Sequence, residues 1–141
     1  MTLLEFLGKR VDGIHTLVGP RFSISPAGEL EVWGRNEMDD GFKSIRNGVK
    51  FRATSLSEGV RAALSADLWP EAEAKSELLD RLESVAREKG IRFGSFFKNI
   101  FGKATILMFL SLESKKPDAS GVGGDYQEAV NDCLEKLNSL S

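Results

Sequence analysis

The sequence predicts an α+β protein in which helices pack on one face of a mainly antiparallel sheet. Two observations support this fold class. Strand-like alternation and helical spacing occupy separate runs, in the order strands, two helices, a strand and a final helix, and the clearest β signal is a hairpin. With 141 residues the chain fits one domain, so we expect residues 1–141 to share one hydrophobic core.

The first part of the chain indicates strands. Met1–Leu7 fits either a short helix or an edge segment. The turn Pro26–Gly28 separates two alternating runs, and its length, with glycine last, is common in hairpin loops. Leu30 and Val32 are expected to face inward from this hairpin. The predicted strands are Ile14–Val18, Arg21–Ser25, Glu29–Trp33 and Val49–Ala53.

Helical spacing begins in the middle of the chain. Ser55, with Glu58 three residues later, forms a capping-box pattern that predicts a helix start. A second helix is expected to begin at Pro70, because proline is favoured in the first turn, and to run over Glu71–Glu88. Gly90 follows basic residues and marks the end of that helix.

The last part of the chain is expected to hold a short helix, a strand, a loop and a final helix. Gly94–Gly102 is interpreted as a short helix bounded by glycines. Thr105–Glu113 has little polar alternation and predicts a central strand buried on both faces. Lys115–Gly124 is interpreted as a flexible polar loop, after which Asp125 and Glu128 repeat the capping pattern. No internal sequence repeat is evident.

Composition narrows the class of protein and its compartment. The formal net charge of −2 is too small to attract nucleic acid or an anionic membrane globally. Met1–Val11 lacks the features of a signal peptide, and Ala104–Leu112 is far shorter than the roughly 20 residues of a membrane-spanning helix. The single cysteine, Cys133, excludes an intramolecular disulfide and suits a reducing compartment. We therefore expect a cytoplasmic protein with no membrane partner.

The side chains that most enzymes use are scarce. His15 is the only histidine and lies within a predicted strand, while Cys133 lies on the apolar stripe of the last helix. A catalytic pairing of Cys133 with His15 is disfavoured, because no nucleophile signature surrounds Cys133. The glycines of Gly121–Gly124 fit neither the Rossmann fingerprint nor the P-loop. We expect no enzymatic activity, no catalytic residue, no cofactor and no metal.

Basic residues alternate with phenylalanines after the second predicted helix, a combination that binds single-stranded nucleic acid in some proteins. The phenylalanines fit helical spacing, which favours core packing instead. Because the whole chain is also slightly acidic, we expect no direct nucleic-acid binding. This run consists of Arg87, Lys89, Arg92, Lys98 and Lys103, with Phe93, Phe96, Phe97 and Phe101 between them. A second basic run precedes it in the chain, at Lys43, Arg46, Lys50 and Arg52.

Acidic residues cluster around the hairpin and the polar segment that follows it. The cluster consists of Glu29, Glu31, Glu37, Asp39 and Asp40. Aspartate next to glycine is ordinary turn chemistry, so a solvated turn explains the cluster most simply. A partner-binding acidic patch is the second interpretation, and a metal or catalytic site is the third.

The segment Val32–Phe42 resembles the Gly-Arg followed by Asp-Asp-Gly-aromatic stretch of a family of bacterial immunity proteins from contact-dependent growth-inhibition systems. Gly59–Ser65 and Gly90–Asn99 are similar to later parts of the family pattern. The resemblance implies a cytoplasmic antidote that binds the C-terminal toxin domain of an exoprotein, often a nuclease, and blocks its active site.

On this hypothesis the partner contacts are Trp33, Glu37, Asp39 and Asp40. The carboxylates would meet a basic nuclease surface, and the tryptophan would supply a buried aromatic anchor. The free protein is expected to be a monomer or a weak dimer. Two alternatives stay open, namely a small carboxylate- or metal-dependent hydrolase and a homodimeric adaptor protein.

Overall fold

The computed structural model describes residues 1–12, 19–34, 49–64, 73 and 75–140. Within these ranges the chain forms an α+β fold, which confirms the predicted class. The helices are α1 Leu3–Asp12, α2 Leu56–Ala63, α3 Glu77–Glu88 and α4 Tyr126–Asn138. The strands are β1 Arg21–Ile24, β2 Leu30–Gly34, β3 Val49–Ala53, β4 Phe93–Lys98, β5 Ala104–Phe109 and β6 Ala119–Gly123. The predicted strand Ile14–Val18 lies outside the described residues.

All six strands join one antiparallel sheet in the order β3-β2-β1-β4-β5-β6. The predicted hairpin is confirmed, because β1 and β2 pair with Arg21 opposite Trp33 and Ile24 opposite Leu30. Its turn closes through a 2.8 Å hydrogen bond from the Gly28 amide to the Ser25 carbonyl. Gly28 has φ of +87°, a conformation that glycine adopts without a steric penalty.

The helices pack on one face of the sheet. α2 lies on β2 and β3, α4 lies on β5 and β6, and α1 and α3 fill the space between them. The strand residues that face these helices alternate with more exposed ones, as the pleat of a strand requires. The buried strand side chains on this face are Phe22, Ile24, Leu30, Val32, Phe96, Ala104, Ile106, Met108 and Ala119.

Within the described residues, the two halves of the chain share one order of elements: a helix, three antiparallel strands that are neighbours in the sheet, and a helix. The sheet order is symmetrical about the β1–β4 pair. In each half one residue separates the last strand from a helix cap, where Ser55 accepts from the Glu58 amide and Asp125 from the Glu128 amide. The repeat lies in the elements and their caps, which explains why the sequence alone does not reveal it.

The predicted second helix starts later than expected. Ser76 is the N-cap of α3, and its hydroxyl accepts a 3.2 Å hydrogen bond from the Leu79 amide. Glu73 and Lys75 are not helical, so the predicted span Glu71–Glu88 is too long at its start. The cap is held by tertiary contacts, because the Ser76 amide donates to the Ser57 hydroxyl of α2 at 2.9 Å. Pro70 lies outside the described residues.

The predicted short helix Gly94–Gly102 is wrong, since this part of the chain forms β4 and the start of a hairpin. The reason is a contact between distant residues. A Cβ at Gly94 would lie 2.1 Å from a ring carbon of Phe22 on β1, so the absence of a side chain lets β4 pair closely beside β1. The helical spacing of the phenylalanines is a coincidence of composition.

The strand predicted at Thr105–Glu113 exists as β5 but ends at Phe109. It lies between β4 and β6, whereas β1 and β4 form the centre of the sheet. Ile106 and Met108 are fully buried, while Leu107 and Phe109 are only half-buried. Ala104 and Thr105 point to opposite faces and are both buried, so the predicted burial on both faces holds only at the start of this strand.

The predicted flexible loop Lys115–Gly124 contains the edge strand β6. Its glycines allow close packing of α4. A Cβ at Gly121 would lie 2.1 Å from the Ala129 carbonyl oxygen, and one at Gly123 would lie 2.5 Å from the Glu128 Cβ. Glycine at these positions therefore serves helix–strand contact rather than chain flexibility.

Candidate functional site

Trp33 is the one predicted partner contact within the described residues. It lies near the end of β2, half-buried, on the sheet face opposite the helices. Glu37, Asp39 and Asp40 lie outside the described residues, as does His15. Of the four predicted contact residues, the structure therefore describes only Trp33.

The side of the sheet away from α1–α4 is called the open face. Its residues point away from the core in alternation with the buried sheet residues. The partly or fully exposed members are Arg21, Ser23, Glu31, Trp33, Lys50, Arg52, Phe93, Ser95, Phe97, Leu107, Phe109, Ser120 and Val122. No helix among the described residues packs on this face.

The β4–β5 half of the open face is aromatic and apolar. Phe93 lies directly opposite Phe109, and Phe97 lies farther along β4. These rings and Leu107 form the floor of a groove of about 480 Å³, which Arg21 also lines. Leu112, 81 % exposed, stands at its border in the segment after β5. The groove presents accessible aromatic surface beside a guanidinium group.

The β1–β3 half of the open face is mainly cationic. Trp33 pairs with Arg21 on β1 and with Lys50 on β3. The Lys50 ammonium lies 5.4 Å from the centre of the Trp33 ring, within the range of a cation–π interaction. Arg52 adds a further positive charge and lies opposite Glu31. The described part of the open face therefore favours ligands that are anionic and partly flat or apolar.

Acidic residues are concentrated on the helical side. α3 carries Glu77, Asp80, Glu83 and Glu88 against two arginines, and α4 carries Glu128, Asp132 and Glu135 against Lys136. The small negative net charge thus conceals a separation of charge between the two sides of the sheet. This separation could not be predicted from the sequence, because it depends on which strand positions face outward.

A hydrogen-bonded hairpin tip, Asn99–Gly102, connects β4 and β5. The Asn99 side-chain oxygen accepts hydrogen bonds from the Phe101 amide at 2.9 Å and the Lys103 amide at 3.0 Å. Ile100 and Phe101 are nevertheless 85 % and 80 % exposed. The tip therefore holds two large apolar side chains in solvent, where a contact with another molecule would bury them.

Cys133 has the structural role that the sequence indicates. It is fully buried between α4 and the sheet, and burial, followed by the charge of Asp132, raises the pKa of its thiol to about 12. The thiol is protonated at neutral pH and is a poor nucleophile in the folded chain. The possible pairing of Cys133 with His15 involves a residue outside the described ranges.

The acidic cluster is only partly described. Glu29 is exposed beside the hairpin turn, and Glu31 is half-buried on the open face. Among the described residues, no group of three or more His, Cys, Asp or Glu side chains has the arrangement of a metal site. Within the same ranges, no helix has both the length and the apolar character to cross a membrane.

Comparisons of the chain with protein-family models, with curated proteins and with solved structures find no significant match.

Proposed function

We propose that this chain is a cytoplasmic immunity protein that binds the C-terminal toxin domain, a nuclease, of a contact-dependent growth-inhibition exoprotein and blocks its active site. Two features support the proposal. The segment Val32–Phe42 resembles that family, and its Trp33 lies on the open face next to Arg21, which lines the aromatic groove. A sheet with one accessible aromatic face is suited to recognising another protein.

The observation that carries the proposal is the setting of Trp33. Its ring is half-buried and lies beside Lys50, and both contacts restrict the ring before any partner arrives. A pre-oriented aromatic side chain loses little conformational freedom on binding, which is typical of residues that dominate binding energy. Arg21 and Lys50 flank the ring, so the toxin surface that meets Trp33 is expected to be neutral or acidic.

The acidic residues have a separate role in this proposal. Glu37, Asp39 and Asp40 offer carboxylates to the basic surface with which a nuclease holds its substrate phosphates. Occupying that surface inhibits the toxin without any chemical step by this chain. Opposite charges also accelerate association at low salt.

The direct test uses the C-terminal domain of an exoprotein encoded beside the gene for this chain, which is where we expect the cognate toxin. Trp33→Ala is expected to weaken binding by about 30-fold, since an aromatic hot spot is worth roughly 2 kcal/mol or more. The combined variant Glu37→Gln, Asp39→Asn and Asp40→Asn is expected to slow association, with the difference shrinking at high salt. Calorimetry and stopped-flow kinetics measure the two effects.

The matched control is Glu135→Gln, which removes an exposed carboxylate from α4 on the opposite side of the sheet. It is expected to leave both affinity and association rate unchanged. Failure of the wild-type chain to bind this domain, together with failure to protect cells that express it, would contradict the proposal.

A homodimeric adaptor is the second candidate, and the hairpin tip favours it. Two adjacent apolar side chains as exposed as Ile100 and Phe101 are commonly covered in an assembly. Light scattering is expected to show a concentration-dependent dimer that the double variant Ile100→Ser and Phe101→Ser abolishes. A wild-type monomer at every accessible concentration would remove this candidate.

A further inference from the structure

We propose that the open face binds single-stranded nucleic acid, with bases stacked on its aromatic rings and phosphates on its cations. This activity goes beyond the proposed toxin neutralisation and does not depend on it. The residues involved are Trp33, Phe93, Phe97 and Phe109 as stacking surfaces and Arg21, Lys50 and Arg52 as phosphate contacts.

The phenylalanine side chains of β4 point to both faces of the sheet. Because β4 is a strand, Phe93 and Phe97 point to the open face, while Phe96 points into the core and is fully buried. The sequence-based expectation of no nucleic-acid binding rested on a helical arrangement that would bury these rings together, and on the slightly acidic net charge of the chain. The strand removes the first of these two reasons.

The aromatic rings of the open face are spaced widely enough for bases to fit between them. Phe93 and Phe97 are four residues apart on one strand, which at the rise of an antiparallel strand separates them by about 14 Å. Ser95 lies between them, and Phe109 lies opposite Phe93 on the next strand. The groove of about 480 Å³ over these residues gives space for bases to lie between and against the rings. Single-stranded nucleic acid binds such surfaces through base–aromatic stacking.

The cations of the open face lie beside the aromatic rings. Arg21 lies between Trp33 on β2 and Ser95 on β4, in the middle of the sheet and next to the aromatic rings on both sides. Its side chain is exposed. Lys50 and Arg52 continue the positive charge to the edge strand β3. A single-stranded nucleic acid that crosses the sheet from β5 to β3 would contact aromatic rings first and cations afterwards.

The net charge of the chain does not oppose this surface. The acidic residues of α3 and α4 lie on the far side of the sheet, so a phosphate over Arg21 meets a locally positive region. Arginine also stacks on bases, which favours a ligand with both flat rings and negative charge over a purely acidic protein. Duplex nucleic acid hides its base faces, so the aromatic floor favours single strands.

The test is fluorescence anisotropy with labelled oligothymidylate and oligouridylate of about 20 nucleotides, longer than the usual site of one small domain. A hairpin duplex of equal charge is the matched ligand control. We expect the single strands to bind more tightly than the duplex, with affinity falling as salt rises from about 50 to 200 mM. Binding is expected to quench Trp33 fluorescence, and Trp33→Phe identifies that signal.

Variants separate charge from stacking. Arg21→Gln and Lys50→Gln are each expected to reduce the slope of log affinity against log salt by about 0.7, the contribution of one phosphate contact in a single strand. Phe97→Leu keeps an apolar side chain but removes the ring, and is expected to weaken binding at least about fivefold without changing that slope. Arg81→Gln on α3 removes an exposed charge from the far side and is expected to change neither quantity.

Three results would overturn the inference: no oligonucleotide binding at about 50 mM salt, equal affinity for the duplex, or unchanged binding and salt slope in Arg21→Gln. Arg21 is exposed, so this variant is expected to fold normally, and its circular dichroism verifies that. If the same variant instead weakens binding only to the toxin domain, the open face belongs to a protein partner. Toxin binding and oligonucleotide binding are measured separately, so either proposal can fail alone.

Discussion

At the scale of single residues, close contacts between distant parts of the chain explain why two positions carry glycine. Gly94 makes room for Phe22 and Gly121 makes room for α4. Both glycines looked like loop or turn residues in the sequence, because a glycine that permits close packing has the same letter as one that permits a turn. The position of Trp33 needs no such contact. Strand alternation alone places its side chain on the face of the sheet opposite to that of the inward-facing Val32.

Gly121→Ala is expected to destabilise the chain by more than about 2 kcal/mol, because its Cβ would overlap a backbone carbonyl of α4 that cannot rotate away. Urea unfolding followed by circular dichroism measures the change in free energy of unfolding. Gly124→Ala is the control, since the nearest atom to its Cβ is the flexible carboxylate of Glu128 at 3.2 Å. Equal stability of the two variants would show that α4 does not lie this close to β6.

At the scale of elements, the parts that local chemistry specifies could be predicted from the sequence. The β1–β2 hairpin follows from its turn, and the starts of α2 and α4 follow from Ser55 and Asp125 as caps. β4 and β6 could not be predicted in the same way, because their strand geometry depends on pairing with distant strands and on helix packing. The open-face site was missed with β4, since its rings face outward only in a strand.

The edge strand β6 shows how a helix protects an unpaired backbone group. Asp132 of α4 accepts a 3.0 Å hydrogen bond from the Val122 amide and pairs with Lys136 at 2.9 Å. The hydrogen bond from Lys136, followed by the one from Val122, lowers the pKa of Asp132 below its usual value of 3.8. Covering an edge amide in this way also makes strand addition by another chain harder.

The lowered pKa of Asp132 makes the free energy of unfolding depend on pH. The stabilisation from ionised Asp132 is fully present above pH 3.8, the value in the unfolded chain, and is lost as pH falls through the lower folded value. We expect the difference in unfolding free energy between wild type and Asp132→Asn to be constant at neutral pH and to shrink below pH 3.8. Urea titrations across that range measure it. A difference that grows on acidification would contradict the assignment.

At the scale of the whole molecule, the duplicated arrangement of elements produces one covered and one accessible face. Each half contributes three strands, and the helices of both halves lie together on one side. The accessible side therefore spans both halves, with the cations and Trp33 from the first and the phenylalanine rings from the second. Because cations and aromatic rings meet there, both proposed binding functions are assigned to the open face.

The most direct test of this central claim compares Arg21→Glu with Arg81→Glu. Both exchange an exposed arginine for glutamate, the first in the middle of the open face and the second on α3. The account predicts that Arg21→Glu weakens binding to the toxin domain or to single-stranded oligonucleotide by more than about tenfold, while Arg81→Glu changes neither. Unchanged binding of both ligands by a folded Arg21→Glu variant would contradict it.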